Sequence, residues 1–381
     1  MKKYMLVALA TAVAVLSAVV FGLYQLCGAS TQNMVQVIRL VGTMRFIDSR
    51  YVDEVPFATL IDGAIDGMMQ SLGDKHSIYM DSKKFKQLMQ QNEGSFGGIG
   101  VVMGFPGPGQ CQVMSVMENT PGEAAGLQPE DFILKVDGVD VKELQPEEVA
   151  QRVRGDEGTQ VVLTIGRKGQ DDFEVSITRA VISMTTAKGV MLQDTKIGYI
   201  RVASFSEKTA KEFQTDLAKL KEEGMQGLII DLRANPGGLI TSCVDIANQV
   251  VPAGEIVSVV DRNGHREVFD SGLEDFGYPI VVLIDGNSAS ASEILAGAIQ
   301  DRQCGTLVGT KSFGKGSVQT MVPLYDGDGI KLTVARYYTP SGRSIDGVGI
   351  EPDVAVELPE GSRVDVQLNK AIEVMKEKIG Q

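Results

Sequence analysis

The stretch IVVLIDGNSASASEILAGAIQ, residues 280–300, decides the fold of this chain. Its first five residues are large and apolar, which predicts a buried β-strand. Small residues follow, and residues 292–300 have the composition of a helix. A buried strand that passes through small residues directly into a helix is typical of α/β proteins. It places residues 285–291 at the C-terminal edge of a sheet, where open α/β folds bind their ligands.

The same alternation of apolar strands and helices extends through this half of the chain. Residues 197–202 and 228–231 predict strands, and residues 209–223 and 243–250 predict helices. Because the strands are near-continuous apolar runs, we expect a sheet covered by helices on both faces. This pattern predicts an α/β core over residues 181–358.

Ser290 lies at the junction of the predicted strand and helix, where two interpretations compete. With Glu293 three residues later, it forms the Ser-x-x-Glu pattern of a capping box. The helix N-terminus also supplies free backbone N–H groups and a positive dipole end, which suit an oxyanion beside a nucleophilic hydroxyl. The local sequence by itself favours the helix cap.

A histidine base for such a nucleophile has no place in the sequence. The chain has two histidines, His76 and His265, and neither lies in a motif suited to a Ser-His-Asp protease. The sequence also lacks a GxSxG elbow and an HExxH zinc helix. A hydrolase with this sequence would therefore need another base.

Lys315 is the candidate base, within KSFGKGSVQT at residues 311–320. Its flanking glycines allow close backbone approach. In a strand, residues 315, 317 and 319 would share one face, so Lys315 and Gln319 would project into the same cavity. A lysine base requires its pKa to fall from about 10.4 by roughly 3 units, at a cost of about 4 kcal/mol supplied by desolvation. Taken alone, these residues fit a surface lysine in a glycine hairpin better.

The composition excludes several other functions. The formal net charge is -13 and no basic run follows Lys2 and Lys3, so we expect no nucleic acid as a partner. The four cysteines form no CxxC pair, and two histidines do not supply a Cys/His zinc site. We expect inert buried thiols, no metal site and no organic cofactor.

Residues 1–29 predict a membrane anchor or a signal peptide. Residues 5–26 are uncharged and almost wholly apolar, and Lys2 and Lys3 precede them. That length suffices for a single-pass helix, with the catalytic part of the chain outside the cytoplasm. The alternative is a signal peptide cut after Ala29, which would give a secreted protein. The length of the apolar run favours the uncleaved anchor.

Helices are predicted on both sides of the remaining modules. Residues 30–93 form a helical N-terminal segment, in which Asp81 can cap a helix. Residues 359–381 contain a C-terminal helix whose apolar residues predict packing on another surface. A second subunit is one candidate for that surface, which would make the protein a homo-oligomer.

Residues 94–180 predict a compact module of different composition. A glycine-rich loop at 93–101 leads into short β-like runs, and residues 146–154 read as a helix between them.

The segments around Ser290 and Lys315 together resemble the C-terminal processing peptidase family of serine proteases. The resemblance extends to three more segments in the family's order: DLRANPGGL at 231–239, YYTPSGRSI at 337–345 and GIEPD at 349–353. It covers the chain from residue 34 to the end. It implies a crotonase-like α/β protease core with an inserted PDZ domain at 94–180.

The resemblance implies roles for the matching residues. Ser290 corresponds to the nucleophile, Lys315 to the general base and Gln319 to the residue that holds the lysine. The oxyanion hole would use the backbone N–H groups of Ala291 and of either Gly237 or Gly238.

In the PDZ domain, the resemblance implies a loop whose amides receive the terminal carboxylate of a peptide added as an extra strand. The corresponding residues are Gly97, Gly98, Ile99, Gly100 and Val101.

These expectations describe a Ser-Lys dyad endopeptidase that cleaves exported or membrane-associated proteins and binds them by their C-terminal tails. Two alternatives belong to other classes. One is a catalytically silent, membrane-anchored PDZ scaffold. The other is an acyl-CoA enzyme, because the family's core resembles the crotonase fold; the PDZ module and the exported location argue against it.

Overall fold

The computed structural model describes residues 2–357, 359, 361 and 364–380 of the chain. Its helices alternate with strands through the second half of the sequence. In chain order the helices are α1 Lys2–Leu26, α2 Thr31–Arg50, α3 Phe57–Gln70, α4 Ser82–Glu93, α5 Pro121–Ala124, α6 Pro146–Val153, α7 Thr209–Glu222, α8 Ile240–Val250, α9 Ala291–Asp301 and α10 Val366–Ile379.

The strands form three main sheets. Those of the first half are β1 Ile78–Met80, β2 Ser95–Gly98, β3 Val101–Gly104, β4 Gln112–Val116, β5 Phe132–Val136, β6 Val139–Asp140, β7 Gln160–Gly166, β8 Phe173–Thr178 and β9 Ala180–Ser183. Those of the second half are β10 Ala187–Met191, β11 Ile197–Val202, β12 Gly227–Asp231, β13 Gly254–Asp261, β14 Arg266–Ser271, β15 Ile280–Ile284, β16 Gly305–Gly309, β17 Ser317–Pro323, β18 Gly329–Tyr338 and β19 Val354–Ala355.

The chain divides into two compact units, residues 1–79 and 80–381. The first unit contains α1, α2 and α3, as the sequence predicted for this helical segment. Ser30 caps α2 by accepting a hydrogen bond from the backbone N–H of Asn33 at 3.3 Å. Among the described residues no single helix meets the length and hydropathy test for a membrane span, but the bent pair Ala14–Leu26 and Thr31–Arg50 passes it together.

The second unit is built on a mainly parallel sheet of order β10-β11-β12-β15-β16-β19. All five residues of β12 and of β15 are buried. Because side chains alternate along a strand, Leu228 and Ile230 pack into the core beneath α7, α8 and α9, whereas Ile229 packs against α10. The predicted sheet covered on both faces is therefore confirmed.

The terminal helix α10 covers one face of that same sheet. Its residues Ala371 and Met375 are fully buried against Ile229 and Val281 of its own chain. The apolar face that the sequence singled out thus packs within the chain. It does not supply the free surface on which the expected second subunit would sit.

An antiparallel sheet adjoins the parallel one and presents the lysine segment. Strand β18 pairs with β17 on one side and with β13 on the other, and β13 continues to β14. Strand β17 begins at Ser317, two residues after Lys315, which is flanked by glycines.

A separate sheet of order β3-β4-β5-β7-β8 forms the module that the sequence placed between 94 and 180. Its core contains Ile133 and Leu163 from the strands and Val149 and Val153 from α6, all nearly inaccessible to solvent. Strands β2 and β9 pair antiparallel where the chain enters and leaves the module. The mixed α/β architecture with an inserted module agrees with the sequence prediction.

Candidate active site

Three loops meet at the C-terminal edge of the parallel sheet. Strands β12, β15 and β16 are parallel neighbours, so the segments that follow them emerge at one edge. These segments contain residues 232–239, 285–290 and 310–316. The sequence motifs around Gly237, Ser290 and Lys315 are therefore brought together by sheet topology.

Ser290 is the N-cap residue of α9 and has an unusual backbone, with φ 56° and ψ -114°. Positive φ is costly for a residue with a Cβ and persists only where the surroundings enforce it. Ser290 is 7% exposed, at the tip of a tight strand-to-helix turn. Such strain is a common property of nucleophile turns, and a plain helix cap does not require it.

Glu293 joins the turn that carries Ser290 to the lysine loop, the segment 310–316 that contains Lys315. Its fully buried carboxylate accepts hydrogen bonds from the backbone N–H of Ser290 and of Lys315, each at 2.8 Å and each through Oε2. Its other oxygen accepts from the backbone N–H of Gly314 at 2.7 Å and from the hydroxyl of Ser312 at 2.5 Å. Four donors thus satisfy this buried carboxylate, and they fix two loops relative to each other.

The sequence identified Glu293 only as the partner of Ser290 in a capping box. That part of the prediction is confirmed by the hydrogen bond from the Ser290 N–H. The bonds to the lysine loop were missed, because they span 19 to 22 residues of sequence and follow no local pattern.

Lys315 lies in the loop before β17 and not in the strand itself. The strand alternation that placed Lys315 and Gln319 on one face therefore does not apply to Lys315. The ladder between β17 and β18 also shifts register between Val318 and Gln319, so strict alternation does not hold there. The amide of Gln319 donates to the hydroxyl of Ser317 at 2.8 Å and to that of Thr333 at 3.3 Å. The suggested role of Gln319 in holding Lys315 stays a prediction.

The Gly237–Gly238 loop approaches the turn that carries Ser290 from β12. A Cβ built on Gly237 would lie 2.8 Å from the Cβ of Ser290 and 3.0 Å from the backbone nitrogen of Ala291. The N–H of Gly237 donates to Oδ1 of Asn235 at 2.9 Å. Among the described residues, no acceptor is found for the N–H of Gly238 or for that of Ala291.

Asn235 holds this loop against the segment that carries Ser290, a role that the sequence analysis missed. It is fully buried, and its amide donates to the carbonyl of Val202 at 2.9 Å. The backbone carbonyl of Asn235 accepts hydrogen bonds from the N–H of Ala289 at 3.0 Å and from the hydroxyl of Ser292 at 2.9 Å. Asn235 thus connects β11, the glycine loop and the turn that carries Ser290.

An ionic cluster anchors the base of the same loop. Arg233 donates to the buried carboxylate of Asp231 at 2.7 Å and to that of Asp365 at 2.8 Å, and Asp365 is the N-cap residue of α10. Burial opposes ionisation of Asp231, but the hydrogen bonds from Arg233 outweigh it and lower its pKa. The cluster ties the glycine loop to the terminal helix.

The residues predicted to bind substrate tails lie at one corner of the inserted module. Gly97 and Gly98 belong to β2, and the carbonyl of Gly97 accepts from the N–H of Gly155 at 3.2 Å. Ile99 is buried, and Val101 begins β3. Strand β3 lies at the end of its sheet, so within the described residues its outer edge is open to an added strand.

Three family models match the chain. Peptidase family S41 matches residues 196–356, the PDZ domain matches residues 112–167, and the activating protease CtpB N-terminal domain matches residues 24–84.

Individual relatives match over most of the chain. It is 40% identical over 332 residues to the carboxy-terminal-processing protease of Bartonella bacilliformis, covering 85% of this chain and 76% of the relative. It is 38% identical over 320 residues to the carboxy-terminal processing protease CtpA of Bacillus subtilis, covering 84% and 68%. A solved photosystem II D1 C-terminal processing protease is similar with a TM-score of 0.53 and 28% identity, over 88% of this chain and 96% of that one.

The fold and its relatives define a serine-type peptidase with a PDZ domain. More narrowly, the chain belongs to the carboxy-terminal processing proteases of peptidase family S41. The family predicted from the sequence motifs is confirmed, and the acyl-CoA alternative is set aside.

Proposed function

We propose that this peptidase cleaves proteins with a Ser-Lys dyad, in which Ser290 is the nucleophile and Lys315 the general base. The observation that carries the proposal is the pair of hydrogen bonds from Ser290 and Lys315 to one oxygen of Glu293. These bonds fix the backbones of the two residues around a common anchor. The strained backbone of Ser290 gives further support, since strain of this kind is frequent at catalytic turns.

In the first step, the neutral amine of Lys315 takes the hydroxyl proton of Ser290 as the oxygen attacks the peptide carbonyl. The carbonyl electron pair moves onto its oxygen, and backbone N–H groups stabilise the resulting oxyanion. We assign these donors to Ala291 and Gly238, because the N–H of Gly237 already donates to Asn235. Lys315 then protonates the departing amine, which leaves an ester on Ser290.

In the second step, water hydrolyses the ester. Lys315 takes a proton from the attacking water and returns one to the oxygen of Ser290 as the ester bond breaks. Gln319 lies two residues into β17 and acts in this proposal by orienting Lys315.

We also propose that the PDZ domain delivers substrates by binding their C-terminal tails. The open edge of β3 favours this, since an extended tail can pair with it while the preceding segment at 97–101 meets the carboxylate. The substrates would be exported or membrane-associated proteins. The uncharged residues 5–26, which follow Lys2 and Lys3, are suited to a membrane anchor or a signal peptide.

The test is a cleavage assay on an unstructured polypeptide with a free C-terminal carboxylate. Ser290→Ala and Lys315→Ala should each lower turnover by about 100-fold or more. Lys311→Ala, which removes an exposed lysine paired with Glu351, should cleave normally. If Ser290→Ala or Lys315→Ala cleaved at the wild-type rate, the dyad would be contradicted. If the wild-type protein bound the tail but did not cleave it, the scaffold alternative would be favoured.

The contribution of the PDZ domain is tested with the same polypeptide ending in a C-terminal amide. If the carboxylate is recognised, the amide substrate should have a higher KM. Its cleavage should still require Ser290. Equal KM values for acid and amide would remove tail recognition from the proposal.

A further inference from the structure

Ser288 and Ser292 flank Ser290 in the run of alternating serines, and both are fully buried. The hydroxyl of Ser288 donates to the backbone carbonyl of Leu232 at 2.9 Å, and that of Ser292 donates to the backbone carbonyl of Asn235 at 2.9 Å. Both acceptors belong to the loop that follows β12, residues 232–239. The two flanking serines therefore hold this loop at two points.

Asp285, the residue directly after β15, makes a third connection between the same two segments. Its Oδ1 accepts the backbone N–H of Ala234 and that of Asn287, each at 2.9 Å, and lies 3.3 Å from the hydroxyl of Ser288. Ala234 has φ 52°, which is uncommon for a residue with a Cβ. The bond from its N–H to Asp285 helps to hold the loop in this conformation.

The loop held in this way contains the glycines that approach Ser290. A Cβ built on Gly237 would lie 2.8 Å from the Cβ of Ser290, so the loop and the turn are in close contact. In the proposed mechanism one oxyanion donor, the N–H of Gly238, lies on the loop, and the other, that of Ala291, follows the turn. Such donors act at about 2.7–3.1 Å from the oxyanion, so their spacing depends on how the two segments are joined.

We propose that Ser288, Ser292 and Asp285 are positioning residues, which set the spacing of the oxyanion donors by joining the loop to the turn. The proposal rests on the proposed function, in which Ser290 is the nucleophile. The two flanking hydroxyls donate to backbone carbonyls and exchange no proton with the substrate. Removal of either hydroxyl deletes one connection and allows the loop to shift relative to Ser290.

Ser288→Ala and Ser292→Ala test the proposal, and Ser242→Ala is the matched control. Ser242 is 3% exposed, and among the described residues no hydrogen-bond partner is found for its hydroxyl. With the unstructured substrate, each of the first two variants should lower kcat roughly 10-fold and change KM by less than about twofold. Ser242→Ala should keep the wild-type kcat. Wild-type kcat in both Ser288→Ala and Ser292→Ala would overturn the proposal.

Inhibition by a peptide aldehyde separates positioning from a packing role. The aldehyde forms a hemiacetal with Ser290, whose oxygen occupies the oxyanion hole, so its inhibition constant reports on the donors. In Ser288→Ala and Ser292→Ala this constant should rise by the same factor as kcat/KM falls. A loss of kcat with an unchanged inhibition constant would contradict an effect on the oxyanion donors.

A second pair of variants keeps the test decisive if the serine variants fold poorly, because Asp285 is partly exposed. Asp285→Ala removes the acceptor for the N–H of Ala234 and should lower kcat roughly 10-fold, with a matching rise in the aldehyde inhibition constant. Asp285→Asn retains an acceptor oxygen and should recover most of this loss. Equal losses in the two variants would contradict the role given to this acceptor.

Failure of this proposal is distinguishable from failure of the proposed dyad. Cleavage by Ser290→Ala would refute the dyad. If Ser290→Ala is inactive while Ser288→Ala and Ser292→Ala keep the wild-type kcat and aldehyde inhibition constant, the dyad stands and the positioning role is refuted.

Discussion

Glu293 accepts the backbone N–H of Lys315 through the same carboxylate oxygen that accepts the N–H of Ser290, with both bonds at 2.8 Å. The carboxylate is completely buried, and its second oxygen is occupied by Ser312 and Gly314. Helix α9 therefore holds the lysine loop with a side chain from its first turn. The distance between the proposed nucleophile and the proposed base depends on this bridge.

Glu293→Gln should disrupt the active site more than the fold. The amide has one acceptor and one donor end, so at least two of the four N–H and O–H donors would lose their acceptor. A displacement of the lysine loop by even 1 Å is sufficient for a roughly 100-fold loss of kcat. Steady-state cleavage and thermal unfolding, measured on the same preparation, separate the two effects.

The matched control is Glu351→Gln, whose side chain is 68% exposed in a surface pair with Lys311. We expect wild-type turnover from it. If Glu293→Gln also cleaved at the wild-type rate, the bridge would have no part in placing the dyad.

Gly237→Ala should impair catalysis through contact with the nucleophile turn. The added methyl would lie 2.7 Å from the carbonyl of Ala289 and 2.8 Å from the Cβ of Ser290, where backbone atoms cannot move away cheaply. The backbone of Gly237 also has φ 99°. We expect at least a tenfold loss of kcat, measured with the unstructured substrate, together with reduced thermal stability.

Gly224→Ala isolates the cost of the backbone conformation. Gly224 has φ 82°, but a Cβ there would meet nothing within 4 Å. It should lose about 1–2 kcal/mol of stability from the left-handed conformation and keep its kcat. Equal activity losses in the two variants would show that crowding at Ser290 is not the cause.

Asp365→Asn should lower stability at neutral pH and lose this effect in acid. Hydrogen bonds from Arg233 hold the pKa of Asp365 below its usual value of 3.8, against a smaller opposing effect of burial. The stabilisation is therefore complete above pH 3.8 and disappears as pH falls through the lowered folded-state pKa. Because Asp365 is partly exposed, the expected loss at pH 7 is about 1 kcal/mol, or roughly 2–4 °C in Tm.

Thermal unfolding of wild type and Asp365→Asn from pH 7 to pH 3 checks this sign. The difference between the two Tm values should shrink as pH falls below 3.8. The exposed residue Asp270 on β14 provides a control, since Asp270→Asn should follow the wild-type curve throughout. A difference that grew in acid would contradict the role given to the carboxylate.

The sequence was sufficient for the order of strands and helices in the parallel sheet. The apolar runs at 228–231 and 280–284 are buried on both faces, so burial imposes a composition that can be read directly. The strand-to-helix junction at Ser290 was visible for the same reason. The family motifs then led to Lys315, which local patterns alone did not favour.

The connections between the loops could not be predicted, because they depend on contacts distant in sequence. Glu293 reaches Lys315 across a strand and a loop, and Arg233 reaches Asp365 across 132 residues. The strand alternation assumed from 315 to 319 failed because β17 starts at Ser317 and shifts register beside Gln319.

Covalent labelling tests the assignment of Ser290 and Lys315 most directly. The protein is treated with a fluorophosphonate, digested, and the modified serine located by mass spectrometry, with the labelling rate measured for wild type, Lys315→Ala and Lys311→Ala. We predict a single adduct on Ser290, formed about 100-fold more slowly in Lys315→Ala and at the wild-type rate in Lys311→Ala. An adduct on Ser288 or Ser292, or undiminished labelling of Lys315→Ala, would contradict the dyad.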